Sequence, residues 1–381
     1  MKGEGLVLGG LTRWRKAVVR NAGSFLEPRR RKTSRPTMIA NFAITYRCQG
    51  RCTHCNIWRT DGGVDELNLK EIRGLFVKNR DLLGGVTHIQ ITGGEPFTRE
   101  DLPEIVSTIS GVLPSCTYWI PTNGLEPDRI EESTENILRA LGGRGLGVTV
   151  SLDGTPETHD KLRGVEGSHA SAVETLKRLT ELRHRHQGLQ LSIGMTIGPE
   201  NQTEISETYD VARSHDVDFS FRPVNISGIY YRNMTRPGTS INPDELLPAV
   251  RKIGRDLIRS RGLLRSTPTL MYMQGAIDYV RKEGTRSLPC SAASDSFFLD
   301  QTGDVYPCII MDAKLGNIRE ESLTEIWLSD EAEEIREQIR RGRCPGCWVE
   351  CEAYRDIKRN RWGLAATALK GLVNPSTAGI R

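Results

Sequence analysis

An α/β fold built on a parallel sheet is predicted, and three observations predict it. Six apolar strand candidates alternate with five stretches of helical periodicity between Met38 and Val224. The strands recur at roughly 30-residue intervals, the length of a βαβ unit that builds a barrel or part of one. Polar, glycine-rich loops follow successive strands, at the rim where such folds keep their functional residues.

The strand candidates are Met38–Tyr46, Val86–Thr92, Thr117–Pro121, Leu146–Leu152, Leu189–Ile197 and Asp218–Val224. Between them, apolar residues return at helical spacing over Leu69–Lys78, Leu102–Val112, Arg129–Leu141, Ala170–His184 and Glu204–His215. The first strand runs into Cys48-Gln-Gly-Arg-Cys52-Thr-His-Cys55. The second is followed by Gly93-Gly94-Glu95-Pro96, the third by Thr122-Asn123-Gly124. The fourth ends in Ser151-Leu152-Asp153-Gly154, and the fifth enters Gly198-Pro199-Glu200-Asn201. Each loop alone is ordinary turn chemistry. Their shared placement on the rim that carries the cysteines is the signal.

Composition is that of a globular protein: 381 residues, 37% hydrophobic and 26% charged. That length suggests about two domains. Lys+Arg 52 against Asp+Glu 48 gives +4, too mild a charge to point to nucleic acid. No signal-peptide core and no apolar run of spanning length is present, so a cytoplasmic location is expected. Nine cysteines, most of them in two tight groups, point to metal rather than to disulfides. Residues 1–37 are basic. They read as a solvated helix ending at Pro28, in preference to an interfacial helix touching anionic lipid.

Three thiols at x3 and x2 spacing suit an iron–sulfur cluster, zinc or copper(I). A four-iron cluster takes four ligands, and Cys48, Cys52 and Cys55 offer three, leaving one iron for a ligand from outside the chain. A structural zinc site with a distant fourth ligand is the competing reading.

With these motifs in view, the sequence resembles the radical S-adenosylmethionine (SAM) superfamily. The resemblance rests on Cys48-x3-Cys52-x2-Cys55, on Gly93 to Pro96, on Ser151 to Gly154 and on His159-Asp-Lys-Leu-Arg163. It implies a partial (β/α)6 TIM-like barrel. It also implies a [4Fe-4S] cluster whose open iron is chelated by SAM, and cleavage of SAM to a 5′-deoxyadenosyl radical that abstracts hydrogen from carbon. On this resemblance Gly93 and Gly94 approach the SAM amine, and Glu95 accepts from that amine or orients the loop. Ser151 and Asp153 contact ribose or carboxylate, Arg163 pairs with the SAM carboxylate, and His54 lies near adenine. Plainer roles compete: a helix-end carboxylate for Glu95, an Asx turn for Asp153, a surface charge for Arg163. Asn123 reads as a turn residue, Asn201 as ligand or helix cap, and Cys116 as a packed core thiol.

The second group comprises Cys290, Cys308, Cys344, Cys347 and Cys351. A hairpin is read from Phe297 to Cys308 around Gln301-Thr-Gly303-Asp, bringing cysteines at its two ends together. Four thiols with a Cys-x2-Cys knuckle would, by themselves, read as zinc. The spacing also resembles the small C-terminal SPASM or twitch auxiliary-cluster domain. A full SPASM domain has seven cysteines and this segment has five. One auxiliary [4Fe-4S] cluster is therefore expected, on Cys290, Cys308, Cys344 and Cys347, with Cys351 able to displace a member of the knuckle.

The domain boundaries expected are 1–37 for the basic segment, 38–227 for the barrel, 228–286 for a bridging segment, 287–355 for the auxiliary-cluster domain and 356–381 for the tail. The bridging segment shows no regular alternation; its Tyr230, Tyr231, Met234, Met271, Tyr272 and Met273 read either as core or as lining for a substrate site. Asn242 opens a helix there. The expected activity is radical oxidation of a peptide or protein. Modification of a small molecule, lipid or sugar, and a non-catalytic electron carrier, are the alternatives. The resemblance also implies an electron donor such as flavodoxin or ferredoxin.

Overall fold

The computed structural model describes residues 35–236, 240–360 and 363–364. Most of the basic N-terminal segment and most of the C-terminal tail lie outside the described residues, and so do the readings made for them.

Six parallel strands form the sheet: β1 (Met38–Thr45), β2 (His88–Gly93), β3 (Thr117–Thr122), β4 (Leu146–Ser151), β5 (Leu189–Ile197) and β6 (Asp218–Pro223). They pair in the order β6-β5-β4-β3-β2-β1. The connecting helices are α1 (Leu69–Lys78), α2 (Arg80–Leu83), α3 (Leu102–Val112), α4 (Pro127–Leu141), α5 (Pro156–Arg163), α6 (Ser168–Arg185) and α7 (Ile205–Ser214). This is the partial (β/α)6 barrel. α5 has no counterpart in the periodicity reading, because it is a short, polar helix packed by its buried His159, Leu162 and Arg163.

Strand alternation sorts the side chains into two populations. Ile89, Ile91, Tyr118, Ile120, Val148 and Ile193 point outward into the core beneath the helices. Their neighbours Gln90, Trp119, Thr149, Ser192 and Ser220 point into the barrel and line a cavity of about 1560 Å³. A closed barrel fills its interior with branched apolar side chains. Here the interior is polar and open, and cross-strand hydrogen bonds such as Thr149 Oγ1 to Ser192 Oγ at 2.8 Å satisfy it.

After β6 the chain forms two 19-residue helices, α8 (Pro243–Arg261) and α9 (Leu263–Arg281). The segment read as lacking alternation is therefore largely helical. Its prolines obscured this. Pro248 and Pro268 each fall at the sixth position of a helix, so each forfeits one bond near the first turn and the helix continues. Asn242 caps α8 as expected, accepting from Asp244 N at 3.1 Å. Met271, Tyr272 and Met273 pack with the core cluster of these helices, whereas Tyr230 and Tyr231 line the cavity.

The C-terminal hairpin, β7 (Ser296–Leu299) and β8 (Asp304–Tyr306), turns at the residues expected. β7 pairs in parallel with β1, so the sheet continues to nine strands, ending at β9 (Gly316–Asn317). Helices α10 (Leu323–Leu328), α11 (Asp330–Arg340) and α12 (Glu350–Arg359) follow. α12 bridges the open side of the barrel. Its Glu350 receives Ser220 Oγ of β6 at 3.3 Å. Its Cys351 receives Asn41 Nδ2 of β1 at 3.5 Å, and its Glu352 receives Ser296 Oγ of β7 at 3.3 Å. Among the described residues no helix is long and apolar enough to cross a membrane.

Candidate functional site

The cavity opens at the C-terminal ends of the strands against the loop that follows β1. Cys48, Cys52 and Cys55 all line it. Cys48 and Cys52 flank Gly50, where an added Cβ would lie 3.6 and 3.5 Å from their sulfurs. Hydrogen bonds from two sides hold the loop. Arg51 N and Thr53 N donate to Arg163 O and Leu162 O at the end of α5, at 2.9 and 2.8 Å. Asn56 N donates to Tyr231 O at 2.7 Å. Asn233, fully buried, donates to His54 O at 2.9 Å and to Asn225 O at 3.0 Å, and accepts from Ser227 N at 2.9 Å. Asn233 carries no sequence signal of its own, and the sequence reading missed it.

Burial pushes the Cys48 and Cys55 thiols up to about 12, and neighbouring thiols add to it. Burial also raises Cys52, which the Arg163 guanidinium at 3.8 Å opposes. Such a pocket keeps the three sulfurs protonated until a strong cation draws off the protons.

The Gly93–Pro96 loop is fitted to this backbone. Gly93 has φ +135°, and a Cβ there would stand 2.0 Å from Thr45 O; one on Gly94 would stand 2.3 Å from Arg47 O. Gly94 N and Glu95 N donate to those same carbonyls, each at 2.8 Å. The two glycines therefore let the loop close on the chain leading into Cys48. Both Glu95 oxygens are engaged: one accepts from Thr122 Oγ1 at 2.9 Å, the other from Asn123 N at 2.6 Å. Glu95 orients the loop, and burial raises its carboxyl to about 7. Tyr230 completes the wall, its hydroxyl 2.7 Å from Thr92 Oγ1 and 3.0 Å from Gly93 O.

Ser151, His54 and Arg163 line the cavity, but Asp153 does not. Asp153 is fully buried beneath it. One carboxylate oxygen accepts from Thr196 N at 2.8 Å and the other meets Arg163 Nη2 at 2.7 Å. Burial alone would raise this carboxyl, yet Arg163 holds it below the usual range. Expected as a SAM contact, Asp153 has its oxygens turned to Arg163, which lines the cavity, and to the β5 backbone. Burial lowers His54 to about 3, so its imidazole is neutral. Asn201 caps no helix; it is buried and donates to Asp153 O and Thr196 O, each at 3.0 Å. Cys116 is a core thiol bonded to Val86 O at 3.0 Å.

Cys290, Cys308, Cys344 and Cys347 line a second, separate pocket together with Glu352 and Arg286. Arg286 lies 3.7 Å from the Cys347 sulfur and 2.5 Å from Asp356. Cys351 lies on the other face of α12, in the wall of the large cavity. All nine cysteines are free thiols. Among the described residues no three His, Cys, Asp or Glu side chains converge as the ligands of a single ion. A four-iron cube takes its thiolates on different irons and so spaces its ligands more widely than a lone zinc does. Three thiols facing a cavity, Cys52 buried and Cys48 and Cys55 partly so, and four around a second pocket, are donor sets that fit such cubes.

Comparison with known proteins places these features in a family. Residues 42–212 match the radical SAM superfamily, and residues 290–352 match an iron–sulfur cluster-binding domain. The AdoMet-dependent heme synthase of Methanosarcina barkeri is 26% identical over 342 residues, spanning 83% of this chain and 89% of that protein. The PqqA peptide cyclase of Rhizobium meliloti is 24% identical over 318 residues, spanning 78% and 75%. In fold, the chain resembles the crystal structure of Streptococcus suis SuiB bound to S-adenosylmethionine, with a TM-score of 0.59, 16% identity and coverage of 80% of this chain and 68% of that one. The chain belongs to the radical SAM superfamily, as an enzyme that uses S-adenosylmethionine and iron–sulfur clusters and carries an iron–sulfur cluster-binding domain at its C-terminal end.

Proposed function

We propose that this enzyme oxidises a peptide or protein side chain. In this reading Cys48, Cys52 and Cys55 hold the SAM-binding cluster, and Cys290, Cys308, Cys344 and Cys347 hold a second. The carrying observation is the cavity. At about 1560 Å³ it exceeds the roughly 300–1,000 Å³ of a pocket for a drug-sized ligand. Amide and hydroxyl groups along it, Asn41, Gln90, Thr149 and Ser192, suit the donors and acceptors of a peptide backbone. α12 carries one side of this cavity and backs onto the second thiol pocket. The peptide cyclase among the relatives supports the same substrate class.

When bound, the first cluster and SAM supply a 5′-deoxyadenosyl radical able to take hydrogen from an unactivated carbon. The chain's own residues prepare the place for it. Gly93 and Gly94 let the loop seat against the approach to Cys48, and Glu95 holds that loop to Asn123 N. Arg163 stabilises negative charge on the Cys52 sulfur, itself kept in place by Asp153. Tyr230, Tyr231 and α12 form part of the cavity wall. An external one-electron donor such as flavodoxin or ferredoxin, and the reducing cytoplasm that thiolate clusters need, belong to this proposal.

The heme synthase among the relatives supports a second reading, a porphyrin-type small molecule. Mass spectrometry of wild-type and deletion cells separates the two. The peptide reading expects a peptide that lacks two hydrogens in wild-type cells only. A changed porphyrin with an unchanged peptide pool rejects it.

A further inference from the structure

Arg222 stands at the end of β6, where the barrel meets α12. Its guanidinium opens on the large cavity, which it shares with Tyr231 and Glu350. Its side chain is 34% exposed, and that exposure is to the cavity. One contact partners it: Nη1 lies 3.5 Å from Glu350 Oε2. Among the described residues no other side chain or carbonyl receives its remaining N–H groups. Glu350 is itself shared, since its other oxygen accepts from Ser220 Oγ at 3.3 Å.

Nearby arginines on the same wall differ. Arg163 meets Asp153 at 2.7 Å. Arg355 is held by Glu352 and by Ser291 and Ser296. A guanidinium has five donors in a planar fork that matches a carboxylate with two parallel hydrogen bonds. A cation facing the cavity with one long ion pair has the rest of that fork free for an incoming anion.

We infer that Arg222 is the docking point for a carboxylate of the substrate, an acidic side chain or the terminus of a peptide, with Glu350 as the group it displaces. This rests on the peptide reading above and assigns that substrate an acidic group near the reacting carbon. Tyr231, whose backbone carbonyl receives Asn56 N of the cysteine loop, places the docking point beside that loop.

The test uses the reconstituted holoenzyme with SAM under inert atmosphere and the arginine reagent phenylglyoxal, with labelling of Arg222 followed by peptide mass spectrometry. N-acetyl-glutamate amide is the probe and N-acetyl-glutamine amide its neutral control. At four times its dissociation constant the acid should slow labelling about fivefold, because the free fraction is 1/(1 + [L]/Kd). The neutral control should leave the rate unchanged. In the Glu350→Gln variant, with the competing carboxylate gone, the same protection should need less acid. Equal effects of acid and amide overturn the inference. So does full protection by SAM alone, which would assign the guanidinium to SAM, and so does a greater acid requirement in Glu350→Gln. Because the labelling is independent of product formation, a failed search for a modified peptide and a failed protection experiment remain distinguishable.

Discussion

Asn233 offers the sharpest test of how the cysteine loop is held. Its side chain is fully buried and makes three hydrogen bonds, to His54 O, Asn225 O and Ser227 N. Asn233→Ala leaves two carbonyls and one amide without partners. Each buried group so orphaned costs about 1–3 kcal/mol, and partial relaxation puts the total near 4 kcal/mol. At 1.4 kcal/mol per factor of ten, that is nearly a thousandfold in local opening. Asn233→Asp separates hydrogen bonding from size. It retains an acceptor for Ser227 N but sets a second oxygen against two carbonyl oxygens, so it should do at least as much damage as Ala. The assay is amide hydrogen exchange over residues 50–56 and 225–236, with iron per chain measured on the same samples. Exchange should accelerate by orders of magnitude in both variants, and iron at the first site should fall. Asn233→Asp behaving as wild type, or exchange in Asn233→Ala within about threefold of wild type, would refute the reasoning.

Other perturbations follow from the same geometry. Gly93→Ala sets a methyl 2.0 Å from Thr45 O at φ +135°, so the loop must move; 5′-deoxyadenosine formation should be lost although the Cys48 loop is unaltered, and a normal rate would show that the loop fit is immaterial. Replacing Cys48, Cys52 and Cys55 by Ala should abolish 5′-deoxyadenosine and reduce iron from about eight to about four per chain, as two four-iron clusters require; zinc at one per chain with about four irons in the wild type, and no iron left in the variant, would assign the second site to zinc. Cys290→Ala should lower iron by about the same amount while sparing 5′-deoxyadenosine, measured against product yield. Asp153→Asn leaves Arg163 buried and unpaired, a loss of about 3–5 kcal/mol by thermal or denaturant unfolding. Since the folded carboxyl is lowered, its contribution is present above the unfolded value of about 3.9 and is lost as pH falls through the folded value. The gap between wild type and Asp153→Asn should therefore narrow below about pH 4; a gap constant across that range would mean the pair contributes nothing.

The strand and helix pattern between Met38 and Val224 was legible because each element buries a face whose period is local: two in a strand, about 3.6 in a helix. The cysteine loop and the Gly93–Pro96 loop were legible because unusual residue types stand at short, fixed spacing. Asp153 and Glu95 show where local reading stops. The residue type marked both as candidate contacts, and only packing decided that Asp153 turns to Arg163 and that Glu95 grips Asn123 N. α8 and α9 were hidden by prolines whose cost depends on where in the helix they fall. Asn233, Arg222 and the cavity face of α12 had no signal, because each matters through partners far away in sequence. Asn233 reaches back 179 residues to His54, and Asn41 reaches 310 forward to Cys351. Which thiols could share a metal was suggested by spacing. That Cys351 faces the cavity while Cys344 and Cys347 face the second pocket was settled only when a helix began at Glu350 and set its two faces against different spaces.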